Sequence, residues 1–119
     1  MPIPKHVRQW DIYRAHLGGA QDCWLLILSS TETNAIIESM AVACEVVPQS
    51  VETLTPSPLC LPVNSSHTGL EWPAALSIAT LTSIPKNCLV ALEGRLESIA
   101  IRTAALKGLG ILFGTEAWP

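Results

Sequence analysis

Two polar side chains near the start of the chain have the chemistry needed for anion binding and proton transfer. Arg14 and His16 lie two residues apart, so both point to the same face of an extended segment. A guanidinium is a permanent cation with five N–H donors, and an imidazole can act as a general acid or base near neutral pH. The pair could therefore bind a phosphate oxygen and exchange a proton with it. The alternative interpretation is a solvated polar strand face.

Other reactive side chains do not form a recognisable catalytic motif. The run Ser65-Ser66-His67 lacks a G-x-S-x-G frame, and the chain has only two aspartates, Asp11 and Asp22, that could orient a histidine. We therefore predict a turn over residues 64–69 and no serine hydrolase. The four cysteines contain no C-x-x-C pair and each lies in an apolar run, which predicts core thiols and neither a zinc site nor a disulfide. We expect no cofactor and no metal.

Composition limits the class of protein. The chain has 119 residues, enough for one domain with a single core, and 49% are apolar while only 14% are charged. Its net charge is −3 and its seven basic residues are scattered, which argues against a protein that binds duplex DNA. The low charge means either that much of the surface consists of Ser, Thr and Asn or that apolar surface is covered by a partner. We expect the second, in the form of a homodimer. No apolar run is long enough for a membrane span or a secretory signal, so we expect a cytoplasmic protein without membrane contact.

The elements that must position Arg14 and His16 follow from periodicity and turn signals. We predict one domain over residues 1–119, with an irregular N-terminal arm over 1–8 and a C-terminal helix over 97–113 that has Ser98 as its N-cap. Thr33 or Asn34 is the predicted cap of a short helix that runs through Ser39. The predicted strands are 10–17, 23–28, 40–47, 59–63, 74–81 and 88–92, with a strand-like end at 82–84 and a chain break at Glu93-Gly94.

Short strands with turn signals and one terminal helix predict a mainly β protein with short helices. The expected architecture is a small antiparallel barrel or curled sheet with helices packed on it. Within it, the continuous apolar run 23–28 predicts a central strand covered on both faces.

Three stretches resemble the MazF/PemK-like toxins and their structural relatives, the CcdB-like toxins. The first is Arg8-Gln-Trp-Asp-Ile-Tyr13, and the second is Leu25–Ser30 followed by Glu32-Thr-Asn34. The third comprises Thr82-Ser-Ile84, the run Leu89–Gly94 and the terminal helix that ends Gly110-Ile-Leu-Phe-Gly114, which together resemble the last third of either family. The resemblance covers roughly residues 9–113 and implies an SH3-like, CcdB/MazF-type barrel with a C-terminal helix.

The resemblance also implies a function. It suggests the growth-inhibiting toxin of a type II toxin–antitoxin module, neutralised by an antitoxin protein, dimeric, and acting as a metal-independent endoribonuclease on single-stranded RNA. The first strand lines the RNA groove in MazF-like proteins, so Arg14 and His16 become catalytic candidates. Ser50 is the third, because it alone could correspond to the family serine or threonine after the third strand. Trp118 and Trp24 are candidates for partner binding.

Departures from the family pattern keep two alternatives open. Asp22-Cys23-Trp24 occupies the place of the family Arg-Pro pair, and Ala79-Thr80 stands where an acidic residue is expected. A non-enzymatic interaction module on the same barrel would tolerate both changes. A CcdB-like gyrase inhibitor is the other alternative, although the C-terminal Trp118-Pro119 differs from the Trp-Gly-Ile ending of those toxins.

Overall fold

The computed structural model describes residues 6–19, 21–49 and 57–115. In these ranges six strands form one antiparallel sheet in the order β4-β5-β3-β2-β1-β6, accompanied by three α-helices. The strands are β1 (Asp11–Ala15), β2 (Cys23–Ile27), β3 (Met40–Pro48), β4 (Cys60–Val63), β5 (Ala74–Pro85) and β6 (Leu89–Arg95). The helices are α1 (Thr31–Ile36), α2 (Ser65–Thr68) and α3 (Ile99–Phe113), and a 3₁₀ turn (Lys86–Cys88) joins β5 to β6. The predicted mainly β class with a C-terminal helix is confirmed.

Both faces of the sheet bury apolar side chains, because the alternation of each strand sends neighbouring residues to opposite sides. In β2, Leu26 belongs to a cluster that includes residues of α3, whereas Leu25 and Ile27 belong to a second cluster on the other face. The prediction of a central strand covered on both faces is therefore confirmed. Of the four cysteines only Cys44 is fully buried, and Cys23 packs against the second cluster. Cys60 and Cys88 are partly exposed, so the prediction of core thiols is wrong for these two.

The predicted division between residues 81 and 82 is wrong, because β5 is one strand of twelve residues. The register with β3 shifts between Ala43 and Glu45, as in a β-bulge. At this shift the backbone N–H of Glu45 donates to Thr80 Oγ1 over 2.9 Å, and Thr80 Oγ1 donates to the Ser77 carbonyl over 2.7 Å. A side-chain hydroxyl thus replaces a missing ladder partner, and the strand continues through the irregularity.

The predicted break at Glu93-Gly94 is also wrong. β6 continues to Arg95, and Gly94 pairs with Ile12 of β1. A Cβ atom at Gly94 would lie 2.5 Å from the Thr68 carbonyl oxygen, so the glycine lets α2 approach the strand. This close approach connects residues distant in sequence, and local turn signals do not reveal it.

The helices α1 and α2 each begin after a residue whose side chain accepts a hydrogen bond from a backbone N–H of the first turn. Ser30 caps α1, since its Oγ accepts from the Thr33 N–H over 3.0 Å, so the predicted cap at Thr33 or Asn34 is wrong. Asn34 is instead buried and donates to the Val7 carbonyl over 3.0 Å. The predicted turn at 64–69 contains the short helix α2, capped by Asn64.

The N-cap predicted for the terminal helix is confirmed. Ser98 Oγ accepts from the Ile101 N–H over 3.2 Å at the start of α3. No helix within the described ranges is long and apolar enough to cross a lipid bilayer.

Candidate active site

Arg14 is the fourth of the five residues of β1, which lies between β2 and β6 in the sheet. It is in register with Trp24 on β2 and with Ala91 on β6. Its Nη1 lies 2.9 Å from Asp22 Oδ2, and its Nε lies 3.4 Å from Glu93 Oε1. Asp22 directly precedes β2 and Glu93 belongs to β6. The guanidinium therefore bridges carboxylates supplied by both neighbouring segments of the sheet.

His16 shares Asp22 with Arg14. Its Nδ1 lies 3.2 Å from Asp22 Oδ1, so the two carboxylate oxygens contact two different side chains. The hydrogen bond with His16 and, after it, that with Arg14 lower the pKa of Asp22 below its ordinary value. Asp22 is thus an ionised carboxylate near neutral pH that holds the imidazole in place by a hydrogen bond.

Trp24 is connected to the same group of residues. Its indole Nε1 donates to Glu93 Oε1 over 3.0 Å, and this is the oxygen that also faces Arg14. The ring packs edge-to-face against Trp72, with ring centroids 5.1 Å apart and planes at 74°. We call Arg14, His16, Asp22, Trp24 and Glu93 the Arg14 cluster.

Two open grooves meet beside the Arg14 cluster. The aromatic groove, of about 360 Å³, is lined by Trp24, Gly69, Leu70, Glu71, Trp72 and Glu93. A second groove of about 410 Å³ contains Arg8, Asp11 and Arg95, and it shares Gly69 and Glu93 with the first. The two grooves therefore adjoin at Gly69 and Glu93, and one has an aromatic lining while the other carries two arginines.

The Arg14 cluster contains the components of acid–base chemistry on a phosphate. Arg14 supplies one positive charge, while Asp22 and Glu93 supply two negative charges, so the net charge is −1 with His16 neutral and zero with His16 protonated. His16 and Glu93 are two groups of different type that could transfer protons. Within residues 6–19, 21–49 and 57–115, no group of three or more His, Cys, Asp or Glu side chains is arranged to hold a metal ion.

The structure brings together three of the five residues singled out in the sequence: Arg14, His16 and Trp24. Ser50 and Trp118 lie outside the described residues. Sequence reasoning missed Asp22 and Glu93 as members of the cluster. Glu93 is 69 residues from Trp24, and the only signal that could have found it is the strand order, which places β6 beside β1.

No protein-family model and no curated protein matches the sequence. Solved structures do match the fold. The chain is similar to an endoribonuclease from a mycobacterial species, with a TM-score of 0.74, 18% identity, and coverage of 100% of this chain and 98% of that one. It is also similar to an endoribonuclease in complex with its cognate antitoxin, again from a mycobacterial species, with a TM-score of 0.71, 18% identity and full coverage of both chains.

A third similar structure is the Mycobacterium tuberculosis toxin MazF-mt6. The TM-score is 0.70 and the identity 21%, over 91% of this chain and 99% of that one. At such low identities these matches establish a shared fold. The MazF-like barrel fold expected from the sequence is thereby confirmed.

Proposed function

We propose that this protein is the growth-inhibiting toxin of a toxin–antitoxin module and acts in the cytoplasm as a metal-independent endoribonuclease on single-stranded RNA. The observation that carries the proposal is the Arg14 cluster, in which a guanidinium lies between two carboxylates beside a carboxylate-bound histidine. The shared fold supports it, since two of the similar structures are described as endoribonucleases and one of these is bound to its antitoxin.

The chemistry that the cluster could perform is transphosphorylation. Glu93 accepts the proton of a ribose 2′-hydroxyl, and the 2′-oxygen attacks the adjacent phosphorus. Protonated His16, held by Asp22, donates its proton to the departing 5′-oxygen. The P–O5′ bond breaks, which leaves a 2′,3′-cyclic phosphate and a free 5′-hydroxyl.

Arg14 stabilises the negative charge that develops on the phosphorane. Its ion pairs with Asp22 and Glu93 use Nη1 and Nε, and a guanidinium has five N–H donors. Donors therefore remain for phosphate oxygens while the carboxylates stay in place. The side chain is 37% exposed, so solvent and ligand can reach it.

The partners proposed with this function are an antitoxin protein and a second copy of the chain. The exposed face of α3 supports the second, because it carries Ile99, Leu106 and Phe113 at seven-residue intervals. Residues repeated every seven positions lie along one stripe of a helix. A homodimer would cover these apolar side chains.

The test is cleavage of a long single-stranded RNA by purified protein in the presence of a metal chelator. We expect discrete cuts with 2′,3′-cyclic phosphate ends, and a loss of rate of about 100-fold or more in Arg14→Ala, the size typical for removing one donor to a developing oxyanion. Lys107→Ala is the matched control, because it removes one exposed positive charge on α3. Cleavage by Arg14→Ala at the wild-type rate would contradict the proposed site.

A second candidate function is a non-catalytic interaction module, and the charge of the cluster favours it. Two carboxylates around one guanidinium make the site net negative while His16 is neutral, which opposes an RNA phosphate. This candidate predicts that wild-type protein leaves RNA intact and that its expression does not slow growth.

A further inference from the structure

We infer that the aromatic groove binds one unstacked nucleobase and that its acidic lining selects guanine. The inference rests on the proposed function, because it takes single-stranded RNA as the ligand. It adds a binding subsite and a base preference, neither of which follows from the chemistry of the Arg14 cluster.

The two tryptophans provide the stacking surface. In an edge-to-face pair, the ring that contributes its edge keeps both of its faces clear of the other ring. Both Trp24 and Trp72 are partly exposed where they line the groove. Proteins that bind single-stranded nucleic acid stack unpaired bases on such rings. The volume of about 360 Å³ lies within the range of pockets that hold small organic ligands.

The acidic side chains that line the aromatic groove determine which hydrogen-bonding edge of a nucleobase can bind there. An ionised carboxylate only accepts hydrogen bonds, and the aromatic groove is lined by Glu71 and Glu93 without a basic side chain among its described residues. Glu93 is already engaged by Trp24 and Arg14, whereas no described residue forms a hydrogen bond or ion pair with Glu71. Glu71 is therefore the carboxylate available to read a base.

Guanine has the edge that fits one carboxylate best. Its N1–H and one N2–H are adjacent donors that can pair with the two oxygens of Glu71. Adenine and cytosine each offer one amino group beside a ring acceptor, and uracil offers one N–H between two carbonyls. A bidentate pair of this kind discriminates between bases, and the acidic lining repels the carbonyl edge of uracil.

The aromatic groove shares Trp24 and Glu93 with the Arg14 cluster. Glu93 Oε1 lies 3.0 Å from Trp24 Nε1 and 3.4 Å from Arg14 Nε. A base held between the groove walls would place the adjoining part of its strand beside Arg14. Cleavage by this protein is then expected next to guanosine.

The test uses oligonucleotides that cannot be cleaved. Fluorescein-labelled oligothymidylates with one central deoxyguanosine, deoxyadenosine or deoxycytidine lack the 2′-hydroxyl, so anisotropy reports binding alone. We expect the guanine oligomer to bind about tenfold more tightly than the others, a ratio typical of one bidentate base contact. Glu71→Gln should reduce this preference to within about threefold, because an amide presents only one acceptor oxygen.

Two further variants separate stacking from base reading. Trp72→Ala should weaken binding of all the oligomers by about tenfold, as expected for one lost stacking contact, while Trp72→Phe keeps most of the affinity. Glu32→Gln is the matched control for Glu71→Gln, because it makes the same change at an exposed residue of α1 outside the groove. Circular dichroism checks the fold of Trp72→Ala, and the exposed Glu71 keeps the test decisive if that variant unfolds.

Equal binding of all the oligomers by the wild type, or an unchanged guanine preference in Glu71→Gln, would overturn the inference. The outcomes remain distinct from those of the cleavage test. Guanine-selective binding by a protein that leaves RNA intact would support the guanine subsite and contradict the proposed ribonuclease activity. RNA cleavage without a preference for guanosine, together with equal binding of all the oligomers, would contradict the guanine subsite and support the ribonuclease activity.

Discussion

Replacing Arg95 by methionine should lower the free energy of unfolding by about 2–3 kcal/mol, whereas the same change at Arg8 should lower it by less than about 1 kcal/mol. Both guanidinium groups contact the same oxygen, Oδ1 of Asp11, whose side chain is only 1% exposed. Replacing each arginine in turn therefore compares the effects of two counterions on the same buried carboxylate.

The difference in magnitude follows from distance and exposure. Arg95 Nη1 lies 2.7 Å from Asp11 Oδ1 and 3.1 Å from the Gln9 carbonyl oxygen, and its side chain is 28% exposed. Arg8 Nη2 lies 3.4 Å from Asp11, and its side chain is 52% exposed. Removing one partner of a buried pair costs about 3–5 kcal/mol. We reduce this figure because Arg95 is partly solvated and because Arg8 can still reach the carboxylate.

Urea unfolding at pH 7, followed by tryptophan fluorescence and circular dichroism, measures both variants. For a domain of this size the loss at Arg95 corresponds to a decrease in Tm of roughly 6–15 °C. The variant Asp11→Asn combined with Arg95→Met should be less destabilised than the sum of the single changes, because the buried charge has been removed. Equal losses at Arg8 and Arg95 would refute the assignment of Arg95 as the main counterion.

Two other predictions concern titratable groups. Burial raises the pKa of the Cys44 thiol to about 12. A disulfide reagent at pH 8 should therefore leave Cys44 unmodified in the folded protein and label all four cysteines after unfolding. Rapid labelling of Cys44 in the native state, detected by peptide mass spectrometry, would contradict this prediction. The pKa of Asp22 is lowered by His16 and Arg14, so its stabilising contribution should be complete above about pH 4 and disappear as pH falls further. The difference in unfolding free energy between wild type and Asp22→Asn should therefore shrink between pH 5 and pH 2, and a constant difference would be inconsistent with the ion pair.

Much of the sheet could be predicted because burial leaves a local signal. The strand predicted at 23–28 is found at Cys23–Ile27, since its unbroken apolar run is a direct consequence of its central place. The errors lie where a distant contact overrides a local signal. Gly94 marks a turn in sequence, but in the structure it provides the space for the Thr68 carbonyl. Thr80 supplies a hydrogen bond that only the paired β3 can use.

The candidate site was predictable on one strand only. Arg14 lies on β1 and His16 directly follows the last residue of β1, and their spacing of two residues brings both side chains to Asp22. Their carboxylate partners depend on which strands flank β1, and strand order is a property of the whole sheet. Periodicity gave no reason to place Glu93 rather than Glu97 or Glu71 beside Arg14. The structure shows that Glu93 is the one beside Arg14, because Arg14 of β1 pairs with Ala91 of β6, two residues before Glu93.

The strand order also determines when the site can first exist during synthesis. β1, β2 and β3 are neighbours in both sequence and sheet, so this part of the sheet can pair as soon as it leaves the ribosome. Glu93 arrives only with β6, which pairs with β1 across separations of 74 residues (Ala15 to Leu89) to 84 residues (Asp11 to Arg95) in a chain of 119. A nascent chain therefore carries Arg14 and Asp22 long before it carries the carboxylate that completes the cluster. The proposed catalytic site can therefore assemble only after β6 has been synthesised.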